Sequence, residues 1–367
     1  MRQIFIFLIL VVSIAACRTD NAPDPAIGRM GRTLVAASGT IELIGSASLV
    51  EFRFRGDSCT LVLSSVAGPG DHNMVALELD GEYVGRRKVN GSELQRFPVK
   101  AGSGGAWHIL RLYKATEASN GVVVFHRAEA AELSKVEDQR GFRVEFIGNS
   151  ITAAMGADTT ELPCGKGSKW YDQHNAWWSY AAISARNVKA EFMLSAISGA
   201  GIYRNWNSDG PTVPQQYQSA YLRLDSTRRW DFSAWQPDVV TIALGTNDMS
   251  PGDRTKPRDS FDSARFVTTY VDFVRSVVTN YPNTQVVLLT SPMMSGTRAA
   301  TLYRCLQSVR KQCLDGKVTR IPLKIFEFRE MKATGCTGHP LIPEHQEMAR
   351  QLTPFLEMLK SELAPDF

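Results

Sequence analysis

The sequence lacks any long block of basic residues, and its formal net charge of +4 is small for 367 residues. Proteins that bind nucleic acid usually concentrate Lys and Arg on one surface, so nucleic acid is not an expected partner. Apolar residues make up 44% of the chain and charged residues 21%, as in ordinary globular proteins. This length and composition allow a large core and suit two domains.

Long apolar runs are few. An Arg precedes the run Ile4 to Ala16, which is too short to span a bilayer but is typical of a secretory signal. The run ends in Ile14-Ala15-Ala16-Cys17, which resembles the bacterial lipoprotein box and would make Cys17 the lipidated first residue. The alternative is an ordinary signal that is cleaved nearby. We therefore predict a signal peptide over 1–17, a flexible tether over 18–31 and a lipid anchor in the bacterial cell envelope.

Cysteine is scarce as well. No Cys-x-x-Cys pair and no zinc-type spacing of His and Cys occurs, so no metal and no cofactor is predicted. An odd number of cysteines remains after Cys17, so an oxidising compartment allows at most two disulfides and leaves one thiol over. Their spacing does not reveal the connectivity. These cysteines are Cys59, Cys164, Cys305, Cys313 and Cys336.

Residues 32–135 show short strand-like runs without helical periodicity, separated by turns that contain Gly, Asp or Asn. This pattern predicts an all-β sandwich or jelly roll. The predicted strands include Thr40–Leu43, Ser48–Phe54, Thr60–Ser64, Val75–Leu79 and His108–Tyr113.

Strands and helices alternate over residues 136–367, which predicts an α/β domain with a parallel sheet and helices on both faces. The predicted strands are Val144–Ile147, Ala190–Leu194, Val239–Leu244, Val286–Leu289 and Leu323–Phe326. The predicted helices are Ala176–Arg186, Phe261–Asn280, Leu302–Leu314 and Pro343–Leu363.

Four short segments each follow a predicted strand or precede the last helix. Gly148-Asn149-Ser150-Ile151-Thr152 predicts a tight turn and then a helix, with Ser150 at the carboxyl end of a strand, where reacting groups collect in α/β sheets. Ser198-Gly199 follows the second strand, and Gly allows a backbone N–H to approach a ligand. Gly245-Thr246-Asn247-Asp248 follows the third strand and offers an amide as oxyanion donor. Gly338-His339-Pro340 offers a base.

In this order, Ser150, Gly199, Asn247 and His339 resemble the four blocks of the SGNH (GDSL-like) hydrolase superfamily. A β-sandwich in front of such a domain resembles carbohydrate esterase family 2, which comprises two-domain acetyl esterases of plant polysaccharides. The resemblance implies a jelly roll joined to a flavodoxin-like hydrolase domain. It also implies an esterase that removes acetyl groups from xylan- or glucomannan-type glycans through a serine acyl-enzyme.

Carried over residue by residue, the resemblance makes Ser150 the nucleophile and His339 the base. The backbone N–H groups of Ser150 and Gly199 and the side chain of Asn247 would form the oxyanion hole. Many members have an Asp three residues before the catalytic His, but this sequence has Cys336 there. We therefore expect a Ser–His dyad in which a backbone carbonyl holds the ring, while the side chains of Cys336 and Thr337 do not.

Other residues receive smaller roles. Tyr203 and Trp206, in a predicted loop, could stack on a sugar ring. Asp248 is expected to brace a turn, and His345 is expected to be a structural residue at a helix start. The expected partner is an acetylated polysaccharide or oligosaccharide, and the expected state is a monomer. The alternatives are an inactive carbohydrate-binding lipoprotein and a short-chain lipase or thioesterase.

Overall fold

The computed structural model describes residues 23–102, 105–137, 140–165, 167–224, 227–255 and 257–364. The predicted signal peptide and Cys17 therefore lie outside the described residues. Nowhere in the described part of the chain is a helix both long and apolar enough to cross a membrane.

The described residues of the first part of the chain form eleven strands in two antiparallel sheets. One sheet has the order β1-β4-β9-β6-β7, with β11 also paired to β4, and the other has the order β2-β3-β10-β5-β8. The strands are β1 (Gly28–Met30), β2 (Thr33–Val35), β3 (Ile41–Leu43), β4 (Leu49–Arg55), β5 (Ser58–Val66), β6 (His72–Leu79), β7 (Glu82–Asn90), β8 (Gln95–Lys100), β9 (Trp107–Lys114), β10 (Val122–Glu129) and β11 (Glu132–Ser134).

The two sheets share one apolar core. Side chains from both sheets, among them Phe52 and Leu110 from one and Leu61 and Phe125 from the other, are buried against each other. Burial of each such side chain stabilises the fold by about 1.5–3 kcal/mol. The predicted sandwich is confirmed, but the predicted tether over 18–31 is too long. Gly28 already pairs with Glu51, so the sandwich begins within that segment.

The second part of the chain contains a five-stranded parallel sheet of order β13-β12-β14-β15-β16. Across the sheet, the strands of this domain lie in the spatial order second, first, third, fourth, fifth, counted by their position in the chain. This is the flavodoxin-like order. The predicted fold class is confirmed. The strands are β12 (Phe142–Gly148), β13 (Ala190–Ala196), β14 (Val239–Ile242), β15 (Gln285–Leu289) and β16 (Lys324–Phe326).

Helices cover both faces of this sheet. Helices α1 and α5 pack on one face, and α3 and α4 pack on the other. In α3 the residues at helical spacing, such as Phe266, Tyr270 and Val277, are buried as the periodicity predicted. The helices are α1 (Tyr180–Asn187), α2 (Val213–Gln216), α3 (Ser263–Asn280), α4 (Gly296–Asp315) and α5 (Ile342–Glu362).

The sandwich docks on the hydrolase domain through buried polar contacts. Arg32 is fully buried and donates hydrogen bonds to the Ser219 carbonyl, at 2.7 Å, and to Ser195 Oγ, at 3.2 Å. At a second point, the hydroxyl of Tyr221 donates to the Glu42 carboxylate at 2.8 Å. The two domains therefore meet in an interface that contains long-range hydrogen bonds from buried and partly buried side chains.

Candidate active site

Ser150 lies directly beyond the carboxyl end of β12, the strand at which the order of the sheet reverses. The backbone turns sharply there, because Asn149 Oδ1 accepts the Ile151 N–H at 3.1 Å. A side chain at Gly148 would meet Thr152 Oγ1 at 2.1 Å, so only glycine permits this turn. The predicted helix after Ser150 is wrong: Ala154 has a positive φ of 55°, and the segment forms turns.

His339 contacts the candidate nucleophile. Its Nε2 lies 2.8 Å from Ser150 Oγ, and Ser150 is only 6% exposed. A nucleophile and a base at hydrogen-bond distance are the geometry that activates a serine hydroxyl. The two residues are 189 positions apart in the chain, so the fold alone brings them together.

Thr337 fixes the orientation of the imidazole. His339 Nδ1 lies 3.0 Å from Thr337 Oγ1, and the Thr337 hydroxyl donates to the Cys336 carbonyl at 2.7 Å. Because that hydroxyl proton is already used, Thr337 Oγ1 accepts from Nδ1–H. This leaves Nε2 unprotonated and facing Ser150, as a base must be. The expectation that the Thr337 side chain plays no part is therefore wrong.

The environment of His339 favours the neutral ring. Burial lowers the pKa of His339 from its ordinary value of 6.5, while the backbone carbonyls of Thr337 and Cys336 act in the opposite direction. Neither of the contacts made by the ring nitrogens is to a carboxylate. The expected dyad therefore agrees with the geometry, with a hydroxyl between the ring and the backbone carbonyl.

The loop that carries His339 is tied to the loop that follows Ser150. The Cys336 N–H donates to the Gly156 carbonyl at 3.2 Å, and the Ile342 N–H donates to the Ala157 carbonyl at 3.1 Å. A disulfide joins Cys336 to Cys164, with 5.3 Å between their Cα atoms. The Cys336 side chain is therefore a structural link. The three other described cysteines, Cys59, Cys305 and Cys313, are buried free thiols.

Gly199 and Asn247 meet at the same edge of the sheet. Asn247 Nδ2 donates to the Ala200 carbonyl at 2.7 Å, and the Trp206 N–H donates to the Gly199 carbonyl at 2.7 Å. Gly199 has a φ of 75° and open space where a Cβ would lie. The Ile197 N–H donates to the Gly148 carbonyl at 3.1 Å, which links this loop to the turn that carries Ser150.

Asp248 braces the loop after Gly199, as predicted. Its carboxylate is fully buried and accepts the N–H groups of Ile202, at 3.0 Å, and Tyr203, at 2.9 Å. Burial raises the pKa of Asp248, and these hydrogen bonds oppose the increase. His345 is structural, as predicted: it is fully buried and accepts the Tyr180 N–H at 3.2 Å.

The two predicted sugar-stacking residues differ in accessibility. The guanidinium groups of Arg204 and Arg265 lie 5.4 Å and 5.3 Å from the centre of the Tyr203 ring, and its hydroxyl accepts the Asp262 N–H at 3.1 Å. Tyr203 is partly buried and shares its ring with these groups, and its role in sugar stacking stays a prediction. Trp206 is 42% exposed, so its ring is available.

Several residues near the dyad escaped sequence reasoning. His174 is fully buried, and burial together with the charge of His339 holds its pKa well below the ordinary value. Trp170, which is 46% exposed, packs edge-on against His174 with 5.0 Å between the ring centres. Glu117, from the sandwich, contacts Ser198. No local sequence motif marks these residues, so only the motif spacing of a known family or the fold itself could have revealed them.

The described residues contain no group of three or more His, Cys, Asp or Glu side chains that could hold a metal ion. A nucleophile paired with a base, next to backbone and amide donors, suits acyl transfer.

Two family models match the chain. Residues 146–317 match the GDSL-like lipase/acylhydrolase family, and residues 29–139 match the carbohydrate esterase 2 N-terminal family. The catalytic domain is therefore a GDSL-like hydrolase domain. The solved structure of a family two carbohydrate esterase from Clostridium thermocellum, in complex with cellohexaose, superposes with a TM-score of 0.80 at 30% identity. The superposition covers 92% of this chain and 99% of that one. The chain belongs to carbohydrate esterase family 2.

Curated relatives agree with this assignment. The cellulase/esterase CelE of Acetivibrio thermocellus is 32% identical over 345 residues, which are 92% of this chain but 40% of that protein. An acetylxylan esterase/glucomannan deacetylase of Cellvibrio japonicus is 26% identical over 316 residues, or 84% of this chain and 83% of that protein. The chain spans 57% of a second C. japonicus protein of the same description.

Proposed function

We propose that this chain is a carbohydrate O-acetyl esterase that removes acetyl groups from xylan- or glucomannan-type polysaccharides or oligosaccharides. The 2.8 Å contact between Ser150 Oγ and His339 Nε2 carries the proposal, because it gives the chain a serine ester hydrolase dyad. Relatives described as acetylxylan esterase/glucomannan deacetylase support the substrate class.

The reaction begins when Ser150 Oγ attacks the acetyl carbonyl and His339 Nε2 takes the serine proton. Charge then develops on the carbonyl oxygen, and the N–H groups of Ser150 and Gly199 and the amide of Asn247 stabilise it. His339 gives its proton to the leaving sugar oxygen, which breaks the ester bond and leaves acetyl-Ser150. Water then attacks this ester with His339 as base, and acetate leaves with Ser150 restored.

Acetate release from acetylated xylan and acetylated glucomannan tests the proposal, with Ser150→Ala as the control. Ser150→Ala is expected to lower kcat by about 1000-fold or more, since the nucleophile is lost. This substitution opens no core cavity, so the unfolding temperature of the variant should match that of the wild type. A variant with more than about a tenth of wild-type turnover would overturn the assignment. Faster turnover of octanoate than acetate esters would favour a lipase.

Trp206 is the proposed stacking platform for a sugar ring. Its ring is exposed, and its backbone N–H donates a hydrogen bond to the Gly199 carbonyl. Trp206 therefore lies beside the proposed oxyanion hole. We expect Trp206→Ala to raise KM for an acetylated glycan and to leave turnover of p-nitrophenyl acetate unchanged, because the small ester does not need the platform.

Glycan binding without turnover is a second candidate function, since the C. thermocellum relative was solved in complex with cellohexaose. Calorimetric titration of the Ser150→Ala variant with cellohexaose tests it. Binding to this variant, with no acetate released by the wild type from any acetylated glycan, would favour a binding protein. Acetate release by the wild type rejects the purely non-catalytic function.

We also propose that the chain is exported and anchored to the bacterial cell envelope through lipid on Cys17, which the lipoprotein-type segment Ile14-Ala15-Ala16-Cys17 supports. A diacylated cysteine provides the two chains that stable anchoring needs. Cys17→Ser is expected to move the protein from the membrane to the soluble fraction, and unchanged retention would contradict the anchor. The monomeric state stays a prediction.

A further inference from the structure

Glu117 lies in the sandwich, in the connection between β9 and β10, yet its side chain reaches the hydrolase domain. The residue is 1% exposed. Its Oε2 accepts two hydrogen bonds from Ser198, one from the backbone N–H at 3.1 Å and one from the hydroxyl. Its Oε1 accepts the hydroxyl of Ser119. One carboxylate of the first domain therefore accepts from both hydrogen-bond donors of the residue that precedes Gly199.

A buried lysine accompanies this carboxylate. Lys114 is fully buried, and its ammonium group donates to the backbone carbonyls of Thr116, at 3.2 Å, and Glu117, at 2.5 Å. Burial raises the pKa of Glu117, whereas the hydrogen bonds from Ser119 and Ser198 and the charge of Lys114 lower it. A buried carboxylate without such partners would be costly, so the surroundings are built to keep Glu117 in place.

The loop around Gly199 needs such a support. Glycine has wide conformational freedom, and Gly199 adopts a φ of 75° with open space where a Cβ would lie. Two nearby peptide groups are fixed: the one between Ile197 and Ser198, and the one that follows Gly199. Glu117 holds the Ser198 N–H, and the Trp206 N–H holds the Gly199 carbonyl at 2.7 Å. Without the Glu117 contact, the chain ahead of Gly199 loses both polar contacts of Ser198 and keeps the bond from the Ile197 N–H to the Gly148 carbonyl.

We propose that Glu117 is a positioning residue that holds the Gly199 N–H where the oxyanion develops, so that the sandwich domain completes the active site. This inference rests on the proposed function, in which Gly199 is an oxyanion donor. A donor fixed in advance stabilises the transition state more than the bound substrate. Loss of Glu117 should therefore lower kcat and leave KM nearly unchanged.

Glu117→Gln tests the proposal, because glutamine keeps the shape but loses the charge and one acceptor oxygen. We expect kcat on p-nitrophenyl acetate and on acetylated xylan to fall on the order of tenfold to 100-fold, since small displacements of a catalytic group are costly. Ser198→Ala removes only the hydroxyl contact and serves as the second variant in case Glu117→Gln does not fold. It should give a smaller fall in kcat.

Glu42→Gln is the matched control. Glu42 is also a sandwich carboxylate that bonds the hydrolase domain, through the Tyr221 hydroxyl at 2.8 Å, but it does not contact the Gly199 loop. It should keep wild-type kcat. A Glu117→Gln kcat within about twofold of the wild type would overturn the proposal. An equal loss in Glu42→Gln would also overturn it, because the effect would then reflect domain docking in general.

Hydrogen exchange provides a readout that does not depend on activity. The backbone amides of residues 195–201, followed by mass spectrometry, should exchange faster in Glu117→Gln than in the wild type, while the rest of the parallel sheet stays protected. If the wild type releases no acetate, the proposed function fails, and the exchange data alone decide whether Glu117 orders this loop. Unchanged exchange over 195–201 would contradict the positioning role.

Discussion

Two loops build the active site, and they are held in different ways. The loop that carries His339 is secured within the hydrolase domain by backbone hydrogen bonds to Gly156 and Ala157 and by the Cys164–Cys336 disulfide. The loop that carries Gly199 is also held by backbone hydrogen bonds, such as that from the Ile197 N–H to the Gly148 carbonyl, and in addition by the side chain of Glu117 from the other domain. The sandwich contacts the oxyanion loop directly through Glu117, whereas it supports the His339 loop through the segment that carries Cys164, where its Arg86 binds Asp158 and the His174 carbonyl. The sandwich therefore contributes to both loops, but by different routes.

The most damaging change to the first loop is the loss of its imidazole. His339→Ala is expected to lower kcat by about 1000-fold or more, because Ser150 then has no base near neutral pH. His126→Ala is a suitable control, since His126 contacts Ser64 within the sandwich and lies outside the site. Residual activity above about a tenth of the wild type would mean that another group is the base.

Among the proposed oxyanion donors, the corresponding change is Asn247→Ala. Loss of its amide removes a proposed donor and also the 2.7 Å bond to the Ala200 carbonyl, so both the donor and the loop are affected. We expect kcat to fall on the order of 100-fold to 1000-fold with little change in KM. An effect on KM alone would place Asn247 in substrate binding and not in oxyanion stabilisation.

The disulfide tests how the histidine loop is held. In the double variant Cys164→Ala, Cys336→Ala, we expect a loss of about 2–5 kcal/mol in the free energy of unfolding, because the bond closes a long loop. The fall in kcat should be smaller than for Asn247→Ala, since the hydrogen bonds of the loop remain. Cys59→Ala, which alters a free thiol in the sandwich core, should change stability but not kcat. An unchanged unfolding midpoint in the double variant would contradict this account.

Thr337→Val makes the smallest change. Valine keeps the branched shape but cannot accept the hydrogen bond from His339 Nδ1. We expect kcat to fall about tenfold, because the imidazole keeps its place but its tautomer is less strongly fixed. Thr337→Ser should restore most of the activity. If both variants matched the wild type, the backbone carbonyls alone would orient the ring, as the sequence had suggested.

Local patterns were enough to predict much of this architecture. Alternating strand and helix signals predict the parallel sheet, and a glycine-containing turn after an apolar strand predicts the place of Ser150. The residues that support the site were harder to predict, because their contacts span long distances in sequence. Cys164 and Cys336 are 172 residues apart, and Glu117 and Ser198 are 81 residues apart. Only folding brings such pairs together.

Some errors arose from backbone geometry that residue patterns do not show. Small residues after Ser150 predicted a helix, but positive φ values of 55° at Ala154 and 68° at Gly156 produce turns. The sequence places no carboxylate near His339, yet it does not reveal that the Thr337 hydroxyl fills the gap. A positive φ of 55° at Thr337 brings that hydroxyl to the ring.

The pH dependence of kcat/KM tests most directly the claim that His339 acts without a carboxylate. Burial lowers the pKa of His339 from its ordinary value of 6.5, and among the described residues the hydrogen-bond partners of its ring are hydroxyl groups and not carboxylates. The base is active when neutral, so activity should be lost only as the pH falls through this lowered pKa. We predict that the acidic limb of kcat/KM on p-nitrophenyl acetate lies below pH 6.5. An acidic limb clearly above that value would show that a carboxylate completes a triad, and the dyad would be wrong.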